Sequence, residues 1–540
     1  MDMRKILLAV MLGLIAHSLI GYQAFPYGDD FAYGPLAEHS IDPTLFRHDD
    51  QLRLFENHAH VYEWVYRLGK VGLGVEPTFH IAVWLQAAAA SVAILAILYA
   101  LGVPAIGLLG VLGLGVLVNL DGLGRGDFGG LISPFFHHQN VALILVLGAV
   151  AAGLLRKSWL AGIFLGLAVY AQPMTALHGA AVLGLGSLIR DPADVMKMAI
   201  AAIVIALPVA VPIVGTVLNG PETNVAFDVV RDAYRYRAPA HYDPPWFDVG
   251  ITTLYLLAGC AGAALLMRQA PYLGRFSAGV MMGFGLLHLV TVVVYKGGIA
   301  EWIGFFILDA NRSTPALFVI GPALAIAGIW SRRQDRLVWI AALPLLAIMA
   351  FNTTLVGLIV VGLGLLLAAL KNVPNVQTLY LVGSAAALVL LFPAPRQLPL
   401  LPEPTHQMFE HIRDNTTVDA LFVIPVNLFT FRHFTQRSAY VDFKLFSVAQ
   451  PDQAALTRAR LDQVASPAPQ DRNVQGWLAA QLWDQEQQRT ATCATMAQTL
   501  AVTGADYYLR RVSPDEAAPN CPTLARPILT ATMALYGSEE

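Results

Sequence analysis

Apolar runs of about twenty residues, broken by short polar turns, dominate the first 393 positions of the chain. A helix needs roughly 20 predominantly apolar residues to cross a bilayer, which yields about thirteen segments here: 5–22, 79–101, 103–120, 139–155, 158–172, 174–190, 197–218, 249–267, 276–295, 312–330, 337–352, 354–370 and 376–393. A tight turn using Pro173 is expected between two of them, at Ala171–Met174, and the pair meeting near Asn352 reads equally as one broken element. The runs are too continuous for the alternating ten-residue strands of a membrane barrel. A chain in lipid must satisfy its backbone internally. The expected fold is therefore an all-α polytopic membrane bundle.

Basic residues mark every second loop: Arg4 and Lys5, Arg156 and Lys157, Arg190 and Lys197, Arg268 and Arg275, Arg332, Arg333 and Arg336, then Lys371. Lys and Arg favour the cytoplasmic side, so the N-terminus and these loops are expected there and everything after Leu391 outside. The first segment has the basic start and short apolar core of a cleaved leader. A retained anchor is preferred, because the alternation works only if it counts as a span.

Composition agrees. Hydrophobic residues make up 56% and charged residues 13%, and the mean hydropathy is +0.57; a soluble globular chain carries about 25% charged residues. The net charge of −3 comes without a basic arm or basic-aromatic stripe. No nucleic-acid partner is expected, and membrane lipids are.

The loops assigned to the cytoplasm are short and merely basic. Those assigned outside, 23–78, 121–138, 219–248 and 296–311, are long and chemically rich, which puts the working face outside. The first carries Gly28, Asp29 and Asp30, then Glu38, Asp42, Arg47, His48, Asp49 and Asp50. Charge beside hydrocarbon costs several kcal/mol unless it meets water, a partner or a polar cavity. An acidic active-site loop and an ordinary solvated loop both fit. From Pro43 to Lys70 apolar residues recur every three to four positions, the period of an amphipathic helix, with Tyr62, Trp64 and Tyr66 suited to the membrane interface. This helix either lies on the bundle or walls a groove above Asp29 and Asp30.

The second outer loop is glycine-rich around Arg125, whose guanidinium can fork onto phosphate oxygens, and it ends in His137 and His138. Those histidines can bind metal, relay a proton or cap the next helix. His58 and His60, near Asp49, Asp50 and Glu56, form a weaker metal-ligand set, since residues two apart diverge on a helix. In the third loop Arg231, Tyr234, Arg235 and Arg237 face either an anionic group or their neighbours Asp228 and Asp232. Lys296, Glu301, Asp309 and Arg312 border the fourth, and Asp309 with Arg312 also reads as a satisfied ion pair.

After a proline-rich exit at Phe392–Pro404, charge and Gln rise to soluble levels. A helix at Phe409–Arg413, strands at 420–424, 438–442 and 506–510, and helices near 453–464 and 474–501 predict a small α/β domain over 394–540, distinct from the membrane module 1–393. Its cysteines, Cys493 and Cys521, are compatible with one disulfide in an oxidising compartment. Nothing there reads as a nucleophile with its base.

This pattern resembles the GT-C superfamily of membrane glycosyltransferases, in which a multi-span bundle carries a large first external loop with acidic residues just after the first span. The matching residues are Gly28-Asp29-Asp30-Phe31 and the segment 43–70. The tail phrase 411–425, with Phe431, Arg432, Arg437, Asp442 and Lys444, is similar to bacterial proteins of the same architecture. The resemblance implies inverting transfer of a sugar from a polyprenyl-phosphate donor to an acceptor at the outer face of a bacterial inner membrane. Asp29 or Asp30 would be the base, the other orienting it or holding a divalent cation (Mg or Mn). Arg125, Arg235, Lys296 and Arg312 are the phosphate-binding candidates, and His137 and His138 the acceptor-positioning ones. The competing classes are a transporter or flippase, which would place charges deep within spans and show repeat symmetry, and a scaffold that kept the fold without the chemistry.

Overall fold

The computed structural model describes residues 2–20, 25–53, 60–105, 107–112, 131–133, 135–218, 244–297, 308–332, 337, 339–351, 401–445, 451–464, 476–512, 519–525 and 527–538. The first apolar helix, α1 (Met3–Ile20), leads into three short elements: α2 (Asp30–Ile41), the single turn α3 (Asp50–Arg53) and α4 (His60–Val71). The bundle continues with α5 (Val75–Ala100), α6 (Gly107–Val111), α7 (His138–Leu154), α8 (Ser158–Ala171), α9 (Pro173–Arg190) and α10 (Pro192–Leu218). Next come α11 (Trp246–Gln269) and α12 (Pro271–Val290), which widens into a π-helical stretch over Thr291–Lys296. A 3₁₀ turn (Ala310–Ser313), α13 (Thr314–Ser331) and α14 (Trp339–Phe351) follow.

Five described stretches are long and apolar enough to cross a membrane: Val75–Ala100, Pro192–Gly215, Trp246–Gln269, Pro271–Lys296 and Thr314–Ser331. His138–Leu154 and Ser158–Ala171 are shorter apolar helices. Ten of the expected segments, from 5–22 to 337–352 with 103–120 excepted, fall on described helices. Segment 103–120 meets only the short α6, and 354–370 and 376–393 lie outside the described residues.

Local chemistry sets the helix starts. Pro173 and Pro271 open α9 and α12 at a position where a missing N–H costs nothing. The tight turn before Pro173 is closed by Gln172, whose Oε1 accepts the Thr175 N–H at 2.7 Å. Helices in lipid associate through close van der Waals packing, which small residues permit. A Cβ on Gly279 of α12 would sit 2.6 Å from the Gly186 Cα of α9, so the two backbones meet where neither residue has a side chain.

The C-terminal region is α/β. It opens with α15 (Glu403–Asn415), β1 (Leu421–Val423), α16 (Phe431–Thr435) and β2 (Ser438–Ala439). Three helices follow, α17 (Pro451–Val464), α18 (Gly476–Thr490) and α19 (Cys493–Thr503), and then β3 (Tyr507–Arg511), β4 (Ile528–Leu529) and β5 (Met533–Gly537). The sheet order is β2-β1-β3-β5-β4. β1 runs parallel to β2 and β3, and β5 pairs antiparallel with both β3 and β4. Met408, Phe409 and Ile412 of α15 pack on Phe422, Leu509 and Leu535 of the sheet. Cys493 and Cys521 are joined as a disulfide.

Two expectations are corrected here. Pro43–Lys70 is not one helix: residues 43–48 are turns, Phe46 sits at φ +59°, and within the described residues helix resumes only at α3 and α4. The apolar period continues through the turn because Phe46 and Leu52 are drawn into a small core with Ala32 and Leu445. The strand expected at 438–442 is only two residues long, and the C-terminal hairpin β4–β5 lies beyond the expected strands.

Candidate active site

Gly28 sits at φ +57°, and a Cβ there would also lie 3.3 Å from the Phe135 ring, so the turn into α2 calls for glycine twice over. That turn places Asp29 at the N-cap of α2 and Asp30 as its first residue. An N-cap aspartate usually accepts the N–H groups of the first turn; Asp29 makes no such bond. Its Oδ1 instead accepts from the Lys444 ammonium of the C-terminal region. Its Oδ2 lies 2.9 Å from His137 Nε2, at the N-cap of α7. His137 is fixed in turn by its backbone N–H, which donates to Gln86 Oε1 of α5 at 3.3 Å. Lys444 and His137 are the side-chain partners of Asp29 among the described residues.

Asp30 points the other way, into protein. Its Oδ2 accepts the Tyr27 N–H and its Oδ1 the Tyr62 hydroxyl, both at 2.8 Å, and the residue is 2% exposed. Asp29 keeps 28% of its side chain exposed and Lys444 15%. Burial pushes the Asp30 carboxyl up to about 7, against the two hydrogen bonds that favour its anion, and the neighbouring Asp29 charge adds to the rise. Burial also opposes ionisation of Asp29. There the Lys444 ammonium and His137 prevail and hold the carboxyl well below its ordinary range. One carboxylate stays ionised and part-exposed, beside a sealed one poised near neutrality.

The sequence placed Tyr62 and Tyr66 at the membrane interface. Both are buried, at 1% and 2% exposure, because each satisfies a carboxylate of α2. Tyr62 serves Asp30, and the Tyr66 hydroxyl donates to Glu38 Oε1 at 2.7 Å. Trp64 is half exposed, as an interfacial residue would be. Their four-residue spacing on α4 was a legible sign of a common face.

Lys444 reaches Asp29 because a buried clamp fixes its strand of chain. The Arg432 guanidinium, 1% exposed, pairs with Asp49 (Nε–Oδ2 2.5 Å) and with Asp442, and touches Gln51 Oε1 at 3.2 Å. Asp49 Oδ2 also accepts the Ala439 N–H at 3.0 Å, and Gln51 Oε1 the Asp442 N–H at 2.8 Å. The segment that follows α2 and the C-terminal region thus share a hydrogen-bonded junction. Phe31 of α2 packs on Phe429, His433 and Phe434 beside it.

Of the residues singled out from sequence, Asp29, Asp30, His137 and His138 come together, His138 with its ring 4.5 Å from that of Tyr33 on α2. Arg312 is engaged by Asp309 (Nε–Oδ2 2.6 Å), and Lys296 lies over the Trp246 ring at 5.3 Å. Neither touches Asp29. Arg125 and Arg235 lie outside the described residues, as does His58. In the sequence Lys444 and Arg432 stand only within a tail stretch similar to bacterial proteins of the same architecture, and no local feature marks a role for either.

A divalent cation does not suit the Asp29 cluster. Both Asp29 oxygens are engaged, one by an ammonium that would repel a second cation, and both Asp30 oxygens accept protein donors. Among the described residues no three His, Cys, Asp or Glu side chains form a metal-binding group.

A family described as a domain of unknown function (DUF6798) matches residues 403–464, which include Arg432 and Lys444. No curated protein matches the chain in sequence. Among solved structures, the arabinofuranosyltransferase AftD from Mycobacteria superposes with a TM-score of 0.51 at 14% identity, covering 100% of this chain and 40% of that one. The apo oligosaccharyltransferase of Archaeoglobus fulgidus gives 0.41 at 11% identity, covering 94% and 69%. Its complex with Zn and sulfate gives 0.37 at 12%, covering 93% and 68%. The chain thus spans two fifths of the length of AftD, and the likeness is one of fold: the multi-pass GT-C-like fold anticipated from the sequence.

Proposed function

We propose that the protein is an inverting membrane glycosyltransferase, moving a sugar from a polyprenyl-phosphate donor to an acceptor hydroxyl on the outer face of a bacterial inner membrane. The observation that carries this is Asp29: an ionised, partly exposed carboxylate directly after the first span, held by Lys444 and His137. The GT-C-like fold supports the reaction class. The alternating Lys and Arg support an N-terminus in the cytoplasm and a C-terminal domain, 394–540, outside, and the Cys493–Cys521 disulfide agrees with that compartment.

The chemistry asks for a base beside the acceptor and for positive charge beside the departing phosphate. Asp29 is the base: it takes the acceptor proton as the new C–O bond forms and the sugar–phosphate bond breaks, with the electron pair leaving on the phosphate oxygen. His137 orients Asp29 through the Nε2 contact. Asp30 has no face toward substrate and is a positioning residue that fixes the α2 start through Tyr62 and Tyr27. His138 supports acceptor positioning from the same turn, while Arg125, Arg235, Lys296 and Arg312 remain outer-face candidates for the lipid phosphate.

In nanodiscs supplied with a polyprenyl-phosphate-linked sugar, Asp29→Asn should lower donor consumption by about 10²–10⁴-fold, the range for loss of a general base. Asp30→Asn should cost less. Full consumption in both variants would remove the proposed base.

A further inference from the structure

We infer that Lys444 is the cation that receives the donor phosphate, and that donor binding draws it off Asp29 and thereby frees the base. This deepens the transferase reading and rests on it.

Four observations lead there. The Asp29–Lys444 pair keeps part of both side chains exposed, whereas Asp30, Asp49, Asp442 and Arg432 beside it are sealed and bonded on every side. The pair is the part of this cluster that an incoming ligand can meet. Second, the Lys444 backbone is held two residues from Asp442, which the Arg432 clamp fixes, so the ammonium is delivered to this point by a rigid base and a mobile four-carbon stem. Third, Asp29 and Lys444 neutralise each other. A phosphodiester carrying one negative charge therefore gains most here by taking the place of Asp29 on the ammonium. Fourth, a divalent cation does not suit Asp29, and Lys444 is the cationic side chain that touches Asp29 directly.

The exchange has a chemical consequence. Paired with an ammonium as well as His137, Asp29 is a weak base; held by His137 alone, it is a stronger one. The donor phosphodiester bears one negative charge and the departing polyprenyl phosphate two, so an ammonium resting on it is favoured more as the sugar–phosphate bond breaks. The acceptor proton passes to Asp29, the acceptor oxygen bonds to the sugar carbon, and the bonding pair of the broken bond stays on the phosphate oxygen. One side chain couples arrival of the donor to readiness of the base.

The test is binding, with undecaprenyl phosphate as the probe and the full chain in nanodiscs. Lys444→Ala should weaken binding at least tenfold and Lys444→Arg should restore most of it. Asp29→Asn should bind the probe as tightly as wild type or more tightly, because it releases the ammonium. A merely structural ion pair predicts instead that Asp29→Asn and Lys444→Ala weaken binding alike, so that result would overturn the assignment even if Lys444→Ala folds poorly. Wild-type affinity in Lys444→Ala also refutes it and leaves the transferase reading standing. Loss of wild-type binding on chelation with EDTA would return the cation's part to a metal. If the wild-type protein binds no undecaprenyl phosphate at all, the polyprenyl-phosphate donor class fails, and the role of Lys444 with it.

Discussion

Asp30 carries a proton well above the ordinary carboxylate range because its carboxyl is enclosed beside a second, ionised one. A carboxyl whose folded value is raised, here from 3.8 to about 7, binds a proton more tightly folded than unfolded. Its contribution to stability is fully present below pH about 4, declines by up to ~1.4 kcal/mol per pH unit through the interval, and is gone above about 7. The unfolding temperature of the wild type should therefore fall from pH 5 to pH 7, and Asp30→Asn should flatten that fall. An unchanged slope would mean that Asp30 titrates normally. At this scale the sequence was informative about charge and silent about partners. Two carboxylates beside a span are anomalous wherever they fold, so Asp29 and Asp30 stood out, and His137 with them. Lys444 did not, since its partner is 415 residues away in sequence.

Between α2 and α4 the packing is organised by paired polar contacts as much as by apolar surface. Tyr62 and Tyr66, one turn apart on α4, each donate to a carboxylate of α2. Removing either hydroxyl leaves a buried acceptor short of a donor, which costs about 1–3 kcal/mol. Tyr62→Phe and Tyr66→Phe should each lower the unfolding temperature in detergent, and Tyr62→Phe should also steepen the pH dependence ascribed to Asp30. Unaltered melting in both would show that water replaces the hydroxyls. The elements themselves were only partly legible. The long apolar helices follow from local hydropathy, which no distant contact alters. The segment 43–70 kept a helical period through a turn, because Phe46 is buried by a core built with Leu445 rather than by a helix of its own. Aromatic residues near a span suggest the interface, and only the fold shows that two of them turn inward.

At the scale of the whole molecule, the bundle and the C-terminal region meet through Arg432, whose charge is buried between Asp49 and Asp442. Truncating one partner of a buried ion pair strands the others, typically at 3–5 kcal/mol. Arg432→Ala should therefore loosen the junction, seen as faster proteolysis of the 401–445 stretch. It should also weaken function out of proportion to its distance from Asp29, because Lys444 loses its anchor. Protease resistance equal to wild type would show that the apolar contacts of Phe31 suffice. The α/β character of the tail could be read from its strands, but this junction could not, as nothing in either partner's local sequence names the other.

The same junction sets an order on biosynthesis. Asp49 precedes Arg432 by 383 residues. At ~5–20 residues per second, about 20–80 s pass between the synthesis of one and of the other. Through that time Asp49 is without the guanidinium that pairs with it in the finished fold, while Asp30 and Glu38 already have Tyr62 and Tyr66. Lys444 arrives later still, so the Asp29 cluster is complete only after the C-terminal region has been made and has folded against α2. A nascent chain that stops short of Arg432 would hold the helices and the carboxylates of α2 without the contacts of Arg432 and Lys444 that tie them to the C-terminal region.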